Sequence, residues 1–176
     1  MKVRTVPLVF LAALVVAAPA IGDGSAHGKP AKSAAFEHFR QLAGNWEGKM
    51  SEDGKTWFPA TANYKVTSGG SAVVETLGPG TPHEMVTIIH PDGKELALTH
   101  YCAIGNQPHM KAAVNGDANK FDFHFVGGSN MDSDKDSHMH SVTFTFVDKD
   151  TLRTDWTHFD NGKKSGEAIF ELKRKK

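Results

Sequence analysis

Ten histidines and a single cysteine among 176 residues are the side chains of this sequence best suited to chemistry. Neutral imidazole and thiolate bind zinc, copper and haem iron, and a histidine beside a cysteine is a base beside a nucleophile. What decides their use is which of them share a face. Along a strand, residues two apart point the same way. The inward row Leu96, Leu98 continues to His100 and Cys102. Val142, Phe144 and Phe146 extend back to His140 and His138, and Leu152, Trp156 runs on to His158. Tyr64 and Val66 form a further inward pair. His27, His38, His83, His109 and His124 fall on the leader, a helix, a turn or outward positions, and are expected at the surface.

The turn at Asp148-Lys149-Asp150 joins two of these rows into a hairpin. A three-residue loop keeps even numbers opposite even numbers, as matched inward faces require. It sets His140 opposite His158, about 5 Å apart at Cβ, or diagonal to it at about 7–8 Å. A two-residue loop would set Phe144 and Phe146 against Asp155 and Arg153, an unfavourable pairing. The expected site is therefore a histidine-bearing end above an aromatic floor, made by His100, His140, His158, Trp156, Tyr64 and Cys102. Such a pocket suits a small, mostly apolar or amphipathic molecule. Two other readings stay open. One is a haem, zinc or copper centre on His140 and His158, although nothing in the sequence requires a cofactor. The other is a structural or interaction domain whose barrel is filled by its own rings.

No recognisable catalytic apparatus accompanies these residues. Cys102 has neither an acidic orienter nor an oxyanion turn near it in sequence. A Gly-x-Ser-x-Gly elbow, a Walker loop and a His-Glu-x-x-His helix are all missing. The acidic run from Asp132 to Ser137 fails the EF-hand pattern, with Ser137 where glycine and Thr143 where glutamate belong. It is expected to be a loop over the barrel mouth.

The elements that must position these side chains are a helix and a meander. Ser33 caps a short helix across Ala34 to Ala43, with Phe36, Phe39 and Leu42 on one side and Gly44 at the stop position. Turn chemistry then recurs about every ten residues: Asp53-Gly54, Gly69-Gly70, Pro79-Gly80, Pro91-Asp92-Gly93, Gly105-Asn106, Asn115-Gly116-Asp117, Gly127-Gly128, Asp148-Lys149-Asp150 and Asp160-Asn161-Gly162. Nine such breaks separate about ten antiparallel strands, which avoid exposed edges by closing into an up-and-down barrel, a two-sheet sandwich being the alternative.

Gly44-Asn45-Trp46-Glu47-Gly48, opening the first strand just after a short helix, resembles the entry of the calycin-like barrels: lipocalins, fatty-acid-binding proteins and nitrobindin-type barrels. It is most similar to exported bacterial domains of unknown function with the same Gly-x-Trp-x-Gly start, and Thr99 through Pro108 also looks like a signature of that group. The resemblance spans roughly Phe36 to Lys173. It implies a cup-shaped all-β barrel holding a small ligand, with Trp46 closing its bottom by packing. The nitrobindin haem site and the lipocalin disulfides do not carry over.

The ends of the chain bear on compartment. Lys2 and Arg4, the apolar run Pro7 to Ala18 and the Ala18-Pro19-Ala20 pattern are expected to form a signal peptide over 1–20. A flexible leader over 21–33 and one barrel domain over 34–176 follow. After cleavage no spanning segment remains, and the mature chain is expected to be exported, to a periplasm or the extracellular space. Removing Lys2 and Arg4 from a balanced chain leaves a net charge of about −2, which argues against nucleic acid as a partner. The tail Lys173-Arg174-Lys175-Lys176 is expected to be a solvated chain end.

Overall fold

The computed structural model describes residues 33–114 and 116–176. The expected signal segment, nearly all of the leader, and His27 lie outside the described residues. Ser33 starts the helix as expected, its hydroxyl accepting from the Phe36 N–H at 3.2 Å. Helix α1 (Ala34–Arg40) is shorter than the sequence suggests. The chain turns through Gln41 to Ala43, and Gly44, at φ 133, opens the first strand.

Ten strands follow: β1 (Gly44–Ser51), β2 (Phe58–Thr67), β3 (Ala72–Leu77), β4 (Met85–Asp92), β5 (Glu95–Tyr101), β6 (Gln107–Ala113), β7 (Lys120–Ser129), β8 (His138–Asp148), β9 (Thr151–Asp160) and β10 (Lys163–Arg174). Each pairs antiparallel with the next, and β1 pairs with β10, so the sheet closes and has no free edge. This is the all-β, ten-stranded up-and-down barrel with a short N-terminal helix. Eight of the nine expected turns fall where one strand gives way to the next, with Asn115 outside the described residues. Gly127-Gly128 does not: it sits inside β7, where His109 pairs with Gly127 and Met110 with Phe125, leaving Val126 as a bulge. Glycine there relieves strain, Gly127 standing at φ 142. The reversal into β8 comes later, over residues 130–137.

The two ends of the barrel differ. At the helix end, α1 inserts Phe36 and Phe39, both buried. The Phe39 ring meets Phe121, Phe123, Phe144 and Phe146 with centroids 5.1–5.9 Å apart, mostly edge-on. Trp46 is buried beside them, donating its indole N–H to the Leu42 carbonyl at 2.8 Å. Arg174 lies 4.5 Å over the Trp46 ring and donates to the Gln41, Ala43 and Lys149 carbonyls and to Asp150. The expected solvated tail is thus corrected: Arg174 ends β10 and latches the helix exit to the β8–β9 turn. Gly48 has its own reason in the motif. A Cβ there would stand 2.0 Å from the Glu171 carbonyl oxygen across the closing β1–β10 seam.

Candidate functional site

Within the barrel, one oblique row of side chains is polar where its surroundings are apolar. Tyr64 pairs with Glu75, Glu75 with Thr87, and Thr87 with His100, across four successive strands. All four are buried. The Tyr64 phenol donates to Glu75 Oε1, and the Thr87 hydroxyl meets His100 Nδ1 at 2.9 Å. On β9, Trp156 sets its ring 4.6 Å from that of His100, and Thr154 lies two residues before it. The strands bring these groups together because closing the barrel turns one face of each strand onto a common axis.

The row is incomplete in hydrogen bonds. Glu75 Oε2, His100 Nε2, Trp156 Nε1 and Thr154 Oγ1 are buried without a partner. Each such atom costs about 1–3 kcal/mol of desolvation that nothing within the protein offsets. Native proteins leave few of them, and clusters mark a ligand, a water or a reactive site. Burial pushes the Glu75 carboxyl up, and the Tyr64 and Thr87 hydroxyls pull it part of the way back. Burial likewise drives the Tyr64 phenol well up, with the Glu75 charge adding to the effect. His100 is held neutral at ordinary pH, because burial lowers its pKa from 6.5 to about 4.

The other histidines gather at the far end, and their arrangement departs from the expected one. The β8–β9 turn is a two-residue reversal at Lys149 and Asp150, not a three-residue loop. A bulge at Val147 restores the register, so Phe146 still pairs with Leu152, Phe144 with Thr154 and Val142 with Trp156. A second bulge at His140 then shifts it again. His158 faces Met139, His138 faces Phe159, and His140 has no partner across the ladder. The His140 ring instead stacks on Phe159 at 3.7 Å, with Phe125 on it at 5.4 Å. His138 is buried, and its Nε2 meets His140 Nδ1 at 3.0 Å while its Nδ1 donates to the Asp136 carbonyl at 2.6 Å. His158 is held at both nitrogens by the Ser137 and Ser165 hydroxyls, at 3.0 and 2.7 Å.

Of the six residues expected at one site, Tyr64, His100 and Trp156 meet in the interior row. His140 and His158 lie apart from that row towards the far end, each held by different neighbours. Cys102 lies outside β5, in a turn where its N–H donates to the Asn106 carbonyl and its carbonyl accepts from Gly105. Among the described residues, no three histidine, cysteine, aspartate or glutamate side chains form a metal-ligating group. The acidic loop is ordered from within by Asp136, which accepts from the N–H groups of Asp132 and Ser133 and from the Ser133 hydroxyl. Asn106 ties it to the β5–β6 turn through the Ser137 carbonyl at 2.7 Å, so it does lie across the far end.

Sequence reasoning missed Glu75 and Thr87. The signal was present in the turns: reflecting Tyr64 about Gly69-Gly70 lands on Glu75, and reflecting His100 about Gly93-Lys94 lands on Thr87. A concavity of about 430 Å³ also exists on the outer wall, bordered by Glu47, Lys49, Arg153 and Glu171. Its charges pair among themselves, Arg153 and Lys49 both with Glu171, and it leaves no unmet group for a ligand.

No family model and no curated protein matches the chain. Solved structures do. The Rv2717c protein of M. tuberculosis is similar in fold, with a TM-score of 0.59 and 14% identity over 82% of this chain and 99% of that one. A protein of unknown function from the DUF3598 family of Nostoc punctiforme is similar more loosely, with a TM-score of 0.44 and 9% identity over 78% of this chain and 49% of that one. No helix among the described residues is long and apolar enough to cross a membrane. At 14% identity the first likeness speaks for the fold alone, and that fold is a closed ten-stranded antiparallel barrel.

Proposed function

We propose that this chain is an exported small-ligand binding protein whose ligand seats inside the barrel, against Tyr64, Glu75, His100 and Trp156. One observation carries the reading: four buried polar side chains, on β3, β5 and β9, each hold an atom with no partner. A filled structural barrel would be expected to pair such groups or replace them with apolar ones. Ten strands enclose more room than the eight that side chains alone just fill. At the helix end α1 and its phenylalanines take up that extra room, and the polar row lies beyond them. The rim histidines and the Asp136 loop would then border the way in. Export rests on the sequence from Lys2 to Ala20, and the likeness to exported calycin-like domains with a Gly-x-Trp-x-Gly start is the family context in which both belong.

Native mass spectrometry of protein purified from its own host tests this reading. A copurifying organic molecule is expected on the wild type and is expected to be lost in a His100→Ala, Trp156→Ala double variant. Equal retention by the folded double variant would reject the interior site, and water as the only occupant would reject ligand binding. The same spectra read the mature mass, which is expected to correspond to cleavage at or close to Ala20.

A further inference from the structure

The unpartnered atoms of the interior row specify what their ligand must offer. Neutral His100 carries one ring proton. The Thr87 hydroxyl meets His100 Nδ1 at 2.9 Å, and in the tautomer that carries the ring proton on Nδ1, Nε2 is a bare acceptor. Glu75 Oε2 is a second acceptor, since the Tyr64 phenol already occupies Oε1. Neighbouring strands lie about 4.8 Å apart, so two long acceptor side chains flank the short Thr87. The Trp156 ring, beside His100, borders them with an aromatic surface.

These two unpartnered atoms, on β3 and β5, are buried where the protein supplies no positive charge. Tyr64 from β2 and Thr87 from β4 are the groups acting on the Glu75 carboxyl, and no lysine or arginine is among them. From α1, Arg40 is engaged by Glu37 at 2.9 Å and lies over Gly70. His100, from β5, is neutral. A buried carboxylate in such a place requires either a proton or a cation.

Resting on the binding reading above, we propose that the ligand is a small organic cation, a protonated amine or amidine on an apolar frame, whose N–H groups are received by Glu75 Oε2 and His100 Nε2. Burial raises the pKa of the Glu75 carboxyl, so the free protein holds that proton to a higher pH than an exposed glutamate would. The incoming cation displaces it, and one proton passes to solvent as one positive charge enters. Binding therefore tightens as pH rises, by up to about tenfold per pH unit while the free carboxyl is still protonated. The indole N–H of Trp156 and the Thr154 hydroxyl are left for an acceptor elsewhere on the same molecule.

Calorimetry on the full mature chain separates this from other occupants. The probes are a series of primary amines from methylamine to phenethylamine, set against the alcohols of the same skeletons. One amine is expected to bind at least about tenfold more tightly than its alcohol, with proton release, read from buffers of different ionisation enthalpy, that grows as pH falls. Glu75→Gln, whose amide oxygen still accepts from Tyr64, is expected to bring amine and alcohol to parity, with a thermal melt verifying its fold. Alcohols binding as tightly as amines to the wild type, with no proton released, would overturn the cation and leave the interior site standing. Binding of neither series, together with water as the only occupant in native spectra, would overturn both. Should Glu75→Gln fail to fold, the wild-type preference and its proton release still decide the matter.

Discussion

The helix end and the interior row of this barrel are built from similar residues to opposite standards. Each contains a buried tryptophan with charged or polar groups close by. At the helix end the Trp46 N–H is bonded, the Arg174 guanidinium makes four hydrogen bonds, and the rings interlock around Phe39. In the interior row the Trp156 N–H, a histidine nitrogen and a carboxylate oxygen are all left unpaired. A chain that satisfies its polar atoms around the helix and leaves them unmet in the interior row is not merely poorly packed. The first region stabilises the fold, and the second gives up stability that the proposed ligand would restore.

The sharpest way to break that comparison is to empty the packed end. Phe39 is fully buried and touches four other phenylalanine rings. Phe39→Ala is expected to cost about 3–5 kcal/mol in urea denaturation, the range for deleting a buried aromatic ring. A loss under about 1 kcal/mol would mean that α1 is not part of the cooperative core, and that the helix end is no more settled than the other.

The next largest effect belongs to the interior row and depends on pH. The His100 pKa is lowered from 6.5 to about 4 in the folded state. A depressed histidine means the unfolded chain binds the proton first. Its contribution is therefore fully present above the unfolded pKa and is lost as pH falls through the folded one. Glu75, raised by burial, works in the opposite sense, favouring the folded state where its carboxyl keeps the proton. The clean measurement is thus a difference. Between about pH 7 and pH 4, wild type is expected to lose about 3 kcal/mol more stability than His100→Gln. Parallel pH profiles for the two proteins would show that His100 is reached by water and does not belong to a buried row.

How much of this was legible in the chain depends on which interaction carried the signal. Alternation and turn residues are local, and they revealed the barrel, the ten strands and the inward rows of Phe121, Phe144 and Trp156. Register is local only while no residue is extra. Each bulge, at Val126, His140 and Val147, adds one residue that the twofold pattern does not announce. The bulge at Val147 rescued the expected pairing of Phe144 and Phe146. The bulge at His140 undid the expected pairing with His158, and the two histidines went to different neighbours. Glu75 escaped notice for another reason. Its strand has Val73 and Leu77 on one face and Val74 on the other, so alternation does not say which face is inside. The usual preference of a carboxylate for water then points the wrong way. Arg174 was hidden in a run of lysines, where composition alone describes a solvated tail.

The smallest effect is the one that tests the comparison most directly, because it uses the same substitution in both regions. Trp46→Phe and Trp156→Phe remove the same atoms from positions that are almost equally buried. The transfer and cavity costs largely cancel between them. What does not cancel is the hydrogen bond. Trp46→Phe abandons the Leu42 carbonyl and weakens the seat of Arg174, whereas Trp156→Phe removes an N–H that had no partner. Without ligand, Trp46→Phe is therefore expected to be the more destabilising of the pair by about 1–2 kcal/mol, the value of a buried hydrogen bond and its orphaned acceptor. The order should reverse for binding, with Trp156→Phe weakening ligand retention and Trp46→Phe leaving it intact in the folded fraction. Equal denaturation midpoints would mean that water or a ligand already satisfies Trp156 in the isolated protein. If stripping small molecules by unfolding and refolding then restored the gap, the occupant would be a ligand rather than water, because water returns from solvent at once.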